Sequence, residues 1–252
     1  MARFALKIEY HGGPFAGWQR QADQPSVQEA VERALAELNG GQPPTIQAAG
    51  RTDAGVHAKG QVAHVDLARD IHPSKLADAL NAHLRPAPVA IVACAEVPLT
   101  FEARFSARAR HYRFEIVNRR GNLALEAGLA WRVPVRLDTA AMDRAAQALT
   151  GHHDFSTFRD SECQADSAMR TLSAISVQGA GERVTVECHA PSFLHRQVRS
   201  IVGSLVEVGR GRQAPEWITE ILAAADRSLC GPVAPPDGLY LTRVDYEPDP
   251  FS

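Results

Sequence analysis

The stretch Thr45-Ile-Gln-Ala-Ala-Gly50-Arg-Thr-Asp-Ala-Gly55-Val-His-Ala-Lys-Gly60-Gln-Val-Ala-His-Val-Asp-Leu67 sets the architecture of this chain. A short apolar segment, Thr45 to Ala49, and a longer one, Gln61 to Leu67, flank a loop with glycines at 50, 55 and 60 around one charged pair, Arg51 and Asp53. Ala63, Val65 and Leu67 alternate onto one side, the period of a half-buried strand. The passage therefore reads strand, loop, strand. The loop itself has two readings. Asp and Gly are what an Asp-initiated turn demands, and glycines also let a ligand approach a carboxylate closely where a Cβ would block it.

Outward from this hairpin the pattern is regular. Upstream, Phe4, Leu6, Ile8 and Tyr10 alternate as a first strand, and Ser26 with Glu29 forms a capping box. That box opens a helix with Val27, Ala30, Val31, Ala34, Leu35 and Leu38 on one face. Downstream, Leu76, Leu80 and Leu84 mark a helix over Ser74 to Leu84, and Val89 to Val97 is a continuous apolar strand. The second half repeats the order. Arg108 to Val117 is a strand, Asp138 caps a helix that stops at Gly151, and Thr171 to Gln178 with Arg183 to His189 predicts a hairpin. Leu194 to Val208 is a helix, Pro215 opens a short extra one through Leu222, and Leu239 to Tyr246 closes the chain as a strand. Two copies of strand, helix, strand, strand, helix, strand predict an α+β protein of two tandem ferredoxin-like (split βαβ) halves with antiparallel or mixed sheets. The expected domains are 1–103, carrying the Asp53 loop, and 104–252, supplying the opposite wall of a central active-site cleft.

Composition excludes several classes. The 252 residues are 45% hydrophobic and 22% charged, the profile of an ordinary globular chain. The first ten residues alternate rather than forming an apolar leader, and no apolar run reaches membrane-spanning length. Cys94, Cys163, Cys188 and Cys230 form no Cys-x-x-Cys pair and read as thiols in a reducing cytoplasm. The net charge of −2 hides an uneven placement. Between Arg104 and Arg120 stand six Arg and one Glu, a local basic strip of the kind that recognises phosphate, although an arginine bias also arises from genome composition.

Candidate chemistry follows from this placement. Tyr112 borders the basic strip on the face of Phe114 and Ile116, where it reads either as a ring for base stacking or as a core tyrosine at a strand end. Arg199 stands four residues after His195 on one helix face, off the apolar stripe, and reads as a site cation or an exposed structural arginine. His57, His64, His152, His153 and Asp154 offer ligand types without zinc-site spacing, so no metal is expected. Gln61 follows Gly60 where a P-loop needs Lys and Ser or Thr, and no Gly-x-Ser-x-Gly elbow occurs.

With these residues in view, the chain resembles the tRNA pseudouridine synthase A family over nearly its whole length. The likeness runs through Gly17-Trp-Gln-Arg-Gln21, Ser26-Val-Gln28, Gly50-Arg-Thr-Asp-Ala-Gly-Val-His57 with Gly60-Gln61, Ala103-Arg-Phe-Ser-Ala107, Tyr112-Arg113, Asp154-Phe155, Phe158-Arg159, Phe193-Leu-His195, Val198-Arg199, Ile201-Val-Gly-Ser-Leu205 and Gly238-Leu-Tyr-Leu241. It departs from the commoner pattern at His11, His111, Phe114 and Gln197, positions that touch RNA-contact detail and remove no catalytic group. The resemblance implies a homodimer that converts uridine to pseudouridine at positions 38, 39 and 40 of the tRNA anticodon arm, without cofactor or metal. It implies Asp53 as the catalytic aspartate, Tyr112 as the aromatic packed on the target base, Arg199 as the basic partner and Arg51 as a holder of the flipped nucleotide. Arg20 and Arg110, with the rest of the strip, are candidates for phosphate contact. The alternative is a non-catalytic RNA-binding protein of paired ferredoxin-like modules, which would have no need of Asp53 or Arg199.

Overall fold

The computed structural model describes residues 1–68 and 70–252. In the first part of the chain lie β1 (Ala2–Tyr10), α1 (Val27–Leu38), β2 (Gln47–Ala48), β3 (His57–Leu67), α2 (Pro73–Leu84) and β4 (Val89–Val97). Then follow β5 (Ala109–Val117), β6 (Trp131–Arg132), α3 (Thr139–Gln147), β7 (Gly151–Asp154), β8 (Met169–Leu172), β9 (Ala174–Ala180) and β10 (Arg183–Ala190). The chain finishes with α4 (Gln197–Gly209), α5 (Trp217–Ala224) and β11 (Leu239–Asp245). The protein is α+β with mixed sheets, and no helix among the described residues is long and apolar enough to cross a membrane. Contacts divide it into two compact units, Met1–Arg110 with Tyr240–Ser252, and His111–Leu239.

In the first unit β1 lies antiparallel between β4 and β3, and β2 pairs with the far side of β3. This is the strand order of the split βαβ arrangement. Register places Phe4 opposite Val65 and Leu6 opposite Ala63, so every second side chain enters the same core. Phe4, Leu6 and Ile8 are fully buried, as are Val27, Val31 and Leu35 of α1 and Leu76 and Leu80 of α2. The Ser26 hydroxyl accepts the Glu29 amide at 3.3 Å, as a helix N-cap does. In the second unit β10 lies between β5 and β9, with Val186 opposite Val177. The Asp138 carboxylate caps α3 by accepting the Ala141 amide at 2.9 Å, and α3 packs on α4 and β9.

Three details depart from the sequence pattern. The strand expected from Gln61 begins at His57, because residues on both sides pair with it: Tyr10 opposite Ala58, and Tyr240 of β11 opposite His57 in parallel. The loop is thereby confined to residues 50–56. The hairpin expected from Thr171 begins at Ala174, because Met169–Leu172 is a separate strand antiparallel to β7. The closing strand, placed by chain order with 104–252, contributes Tyr240 onward to the compact unit of β1 to β4.

Candidate active site

The loop that carries Asp53 is built against a second glycine-bearing loop. The carbonyl of Thr52 accepts the Trp18 amide at 3.1 Å, and the Gly55 amide donates to the Phe15 carbonyl at 3.2 Å. Two of the partner loop's three glycines are needed for this approach. A Cβ on Gly17, whose φ is +101°, would stand 2.6 Å from the Thr52 carbonyl oxygen, and one on Gly12 would stand 2.1 Å from that of Val56. The motifs Gly17-Trp-Gln and Gly50 to His57, distant in sequence, are thus two sides of one backbone seam.

Side chains secure the seam from below. The Tyr10 phenol lies 2.8 Å from the Thr52 hydroxyl, and the Gln61 amide donates to the Gly50 carbonyl at 2.8 Å. Tyr10, Thr52, Gln61 and Trp18 are all buried. His57 is buried too; its Nδ1 accepts the Gly12 amide at 3.0 Å, which fixes that nitrogen as unprotonated. The His57 ring stacks on Tyr240 at 4.7 Å and meets His11 edge-on. With Thr52 turned inward, Arg51 is exposed and Asp53 half-buried, so the carboxylate stands at the rim of a rigid base.

The arginines named from sequence have different surroundings. Arg110 donates to the carbonyls of Ala49 at 2.7 Å, Arg104 at 2.6 Å and Ala107 at 3.4 Å, tying the residue before Gly50 to the segment that follows β4. These bonds take three of its five N–H donors for bracing the loop. Arg20 pairs with the buried Glu32 at 2.6 Å, while Glu32 also accepts from Gln28 and from the Ile46 amide. Arg113 pairs with Glu187 and Arg119 with Glu182, so the strip is less basic than its sequence suggests. Arg104, Arg108 and Arg120 are its exposed members.

In the second unit, Tyr112 ends the buried face begun by Phe114 and Ile116 and meets Phe193 edge-on at 5.1 Å and 87°. Arg199 lies on α4, where its Nε donates to the Ala234 carbonyl at 2.8 Å and its own carbonyl accepts the Ala234 amide at 3.1 Å. The start of α4 is itself braced. Arg196, left-handed at φ +57°, donates to Asp160 at 3.0 Å, and the Asp160 amide donates to the His195 carbonyl at 3.2 Å. Burial pushes the Asp160 carboxyl up, but the Glu162 amide, Arg196 and His195 together hold it below its usual range. Asp160, Glu162 and His195 bring ligand-type atoms within 4.8 Å of one another, and Arg196 pairs with Asp160 there.

Phe193, Trp18 and Gln61 stand in the sequence only as parts of motifs, and nothing local marks Tyr10 and Thr52 as supports. The glycines at 12 and 17 were the available signal, since closely packed backbones need them.

A fold of this kind, with an aspartate presented on a glycine seam, matches a family model described as tRNA pseudouridine synthase over residues 8–106 and 145–247. The chain belongs to the tRNA pseudouridine synthase family. Its relatives named tRNA pseudouridine synthase A include one from Hyphomonas neptunium, 58% identical over 98% of this chain and 99% of its own length. Another, from Bradyrhizobium sp., is 59% identical over 98% of this chain and 100% of its own, and one from Maricaulis maris is 57% identical over 98% of each.

Proposed function

We propose that this protein isomerises uridine to pseudouridine in tRNA, at positions 38, 39 and 40 of the anticodon arm, with Asp53 supplying the catalytic carboxylate. The observation that carries the assignment of the carboxylate is the seam around Asp53. Four backbone or side-chain ties hold residues 50–55, and Asp53 among them is half-buried.

The reaction exchanges one bond for another. The N1–C1′ glycosidic bond breaks, the freed uracil turns, C5 joins C1′, and the proton lost from C5 is balanced by one gained at N1. Substrate and product are isomers, so no electron acceptor or hydrolytic water is consumed. A carboxylate serves as nucleophile or as base in this exchange. Tyr112, its ring braced by Phe193, stacks on the loose uracil and prevents its escape. Arg199, its stem fixed by Ala234, supplies the cation, and Arg51 holds the nucleotide. A base inside a stem presents neither C1′ nor C5 to a side chain, so the target is flipped out, at a cost of a few kcal/mol recovered through phosphate contacts. Arg104 and Arg108 are the exposed residues for those contacts, with Arg20 beside them. The working form in this reading is a homodimer in the cytoplasm, built from a carboxylate-bearing part and a part bearing Tyr112 and Arg199.

The test is Asp53→Asn. It is expected to bind unmodified tRNA within about threefold of the parent affinity and to release no tritium from 5-tritiated uridine. Full pseudouridine formation by this variant sinks the assignment.

A further inference from the structure

We propose that Tyr10 and Gln61 are positioning residues that act on the reaction through Thr52 and Gly50, setting where the Asp53 carboxylate stands. The inference rests on Asp53 as the reacting group and adds how that group is aimed.

Three observations carry it. Thr52 immediately precedes Asp53, and its hydroxyl lies 2.8 Å from the Tyr10 phenol in a site closed to water. Gln61 donates to the Gly50 carbonyl at 2.8 Å and accepts the Val62 amide at 3.2 Å, so its head is locked between the loop and its own strand. Both anchors sit in strands. Tyr10 ends β1 opposite Ala58 of β3, and Gln61 lies opposite Ile8, with one register shift between the two pairs. The loop's first residues thus inherit the rigidity of a sheet, where sites are held more tightly than on loops alone. Burial pushes the Tyr10 phenol up to about 12 against the pull of Thr52 and Gln61, so the phenol keeps its proton across the working range.

Such a bond gives no binding surface to tRNA, and its loss lets the loop drift. A misplacement of about 1 Å at a reacting group costs on the order of a hundredfold in rate. A purely structural role predicts lower stability with an unchanged rate for whatever remains folded. A positioning role predicts a selective loss of rate.

Single-turnover tritium release from 5-tritiated tRNA, tRNA affinity and thermal melting are measured for Tyr10→Phe, Thr52→Val, Thr52→Ser and the double variant Tyr10→Phe/Thr52→Val. The expected result is a loss of about tenfold to a hundredfold in rate for Tyr10→Phe and Thr52→Val, with affinity within about threefold. Thr52→Ser retains the rate because it keeps the hydroxyl, and the double variant is no slower than the worse single because one bond is lost only once. Parent-like rates in both folded single variants overturn the proposal. So does a Thr52→Ser loss equal to that of Thr52→Val, or a double-variant loss equal to the product of the two. Asp53→Asn runs alongside. If it stays fully active, the reading of the carboxylate itself has failed; if it is inactive beside fully active Tyr10→Phe and Thr52→Val, only the positioning role has.

Discussion

Gly17 and Thr52 meet backbone to backbone: the amide after Gly17 donates to the Thr52 carbonyl at 3.1 Å, and a Cβ on Gly17 would stand 2.6 Å from that same oxygen. Both the left-handed φ of +101° and the lack of space exclude a side chain there. Gly17→Ala is therefore expected to cost roughly 1–3 kcal/mol and to slow catalysis by moving Thr52. Urea midpoints and single-turnover rates check this. A variant as stable and as fast as the parent would mean that the seam yields freely.

The arginines divide by what already holds them. Arg113 is paired with Glu187, whereas Arg104 and Arg108 are exposed. The double change Arg104→Ala/Arg108→Ala is expected to weaken tRNA binding and to lower the slope of log affinity against log salt by about 1–2. Arg113→Ala should leave that slope unchanged. Equal slopes for all three proteins would place the phosphate contacts elsewhere.

Tyr112 offers a ring, and Phe193 holds it edge-on at 5.1 Å. Tyr112→Phe is expected to bind tRNA like the parent, while Tyr112→Ala loses the stacking surface, worth about 1–3 kcal/mol per base. Filter binding with an unmodified anticodon-arm tRNA measures both. Equal affinity for the two variants removes the ring from substrate recognition.

Acid stability is linked to Asp66. The Arg3 guanidinium, hydrogen-bonded to it at 2.7 Å, holds the Asp66 carboxyl below its ordinary value, with burial opposing. A carboxyl with a lower folded than unfolded pKa binds fewer protons when folded. Its stabilising contribution is complete above the unfolded value of about 3.9 and is lost as pH falls through the lower folded one. Urea midpoints taken from pH 5 downward are thus expected to fall more steeply for the parent than for Arg3→Ala. Superimposable profiles would show that this pair does not shape the acid limb.

What the sequence made legible was whatever has a period or a cap. The alternation from Phe4 to Tyr10, the Ser26 and Asp138 caps, and the leucines of α2 all encode their conformation locally, and each forms as its pattern requires. The Gly50 to His57 loop, with neither period nor cap, left a turn and a site both open, and only the resemblance pointed to a site. What could not be read is non-local. No local signal tells that Arg110 will reach back to the Ala49 carbonyl, that Met169–Leu172 will leave its hairpin for β7, or that Tyr10 will find Thr52. These depend on which strands become neighbours, and short pairings such as Trp131–Arg132 with β5 are too brief to leave a pattern.

The parallel pairing of Tyr240 with His57 also bears on how the chain is made. A ribosome delivers β1 to β4 and the whole of the other unit before it delivers β11, so the floor beneath the Asp53 loop lacks its last stave until β11 emerges. A nascent chain cut short before Tyr240 holds Asp53 without the ring that stacks on His57. The floor is thereby completed only once β11 has been made, and strand order rather than the loop's own sequence sets when that happens.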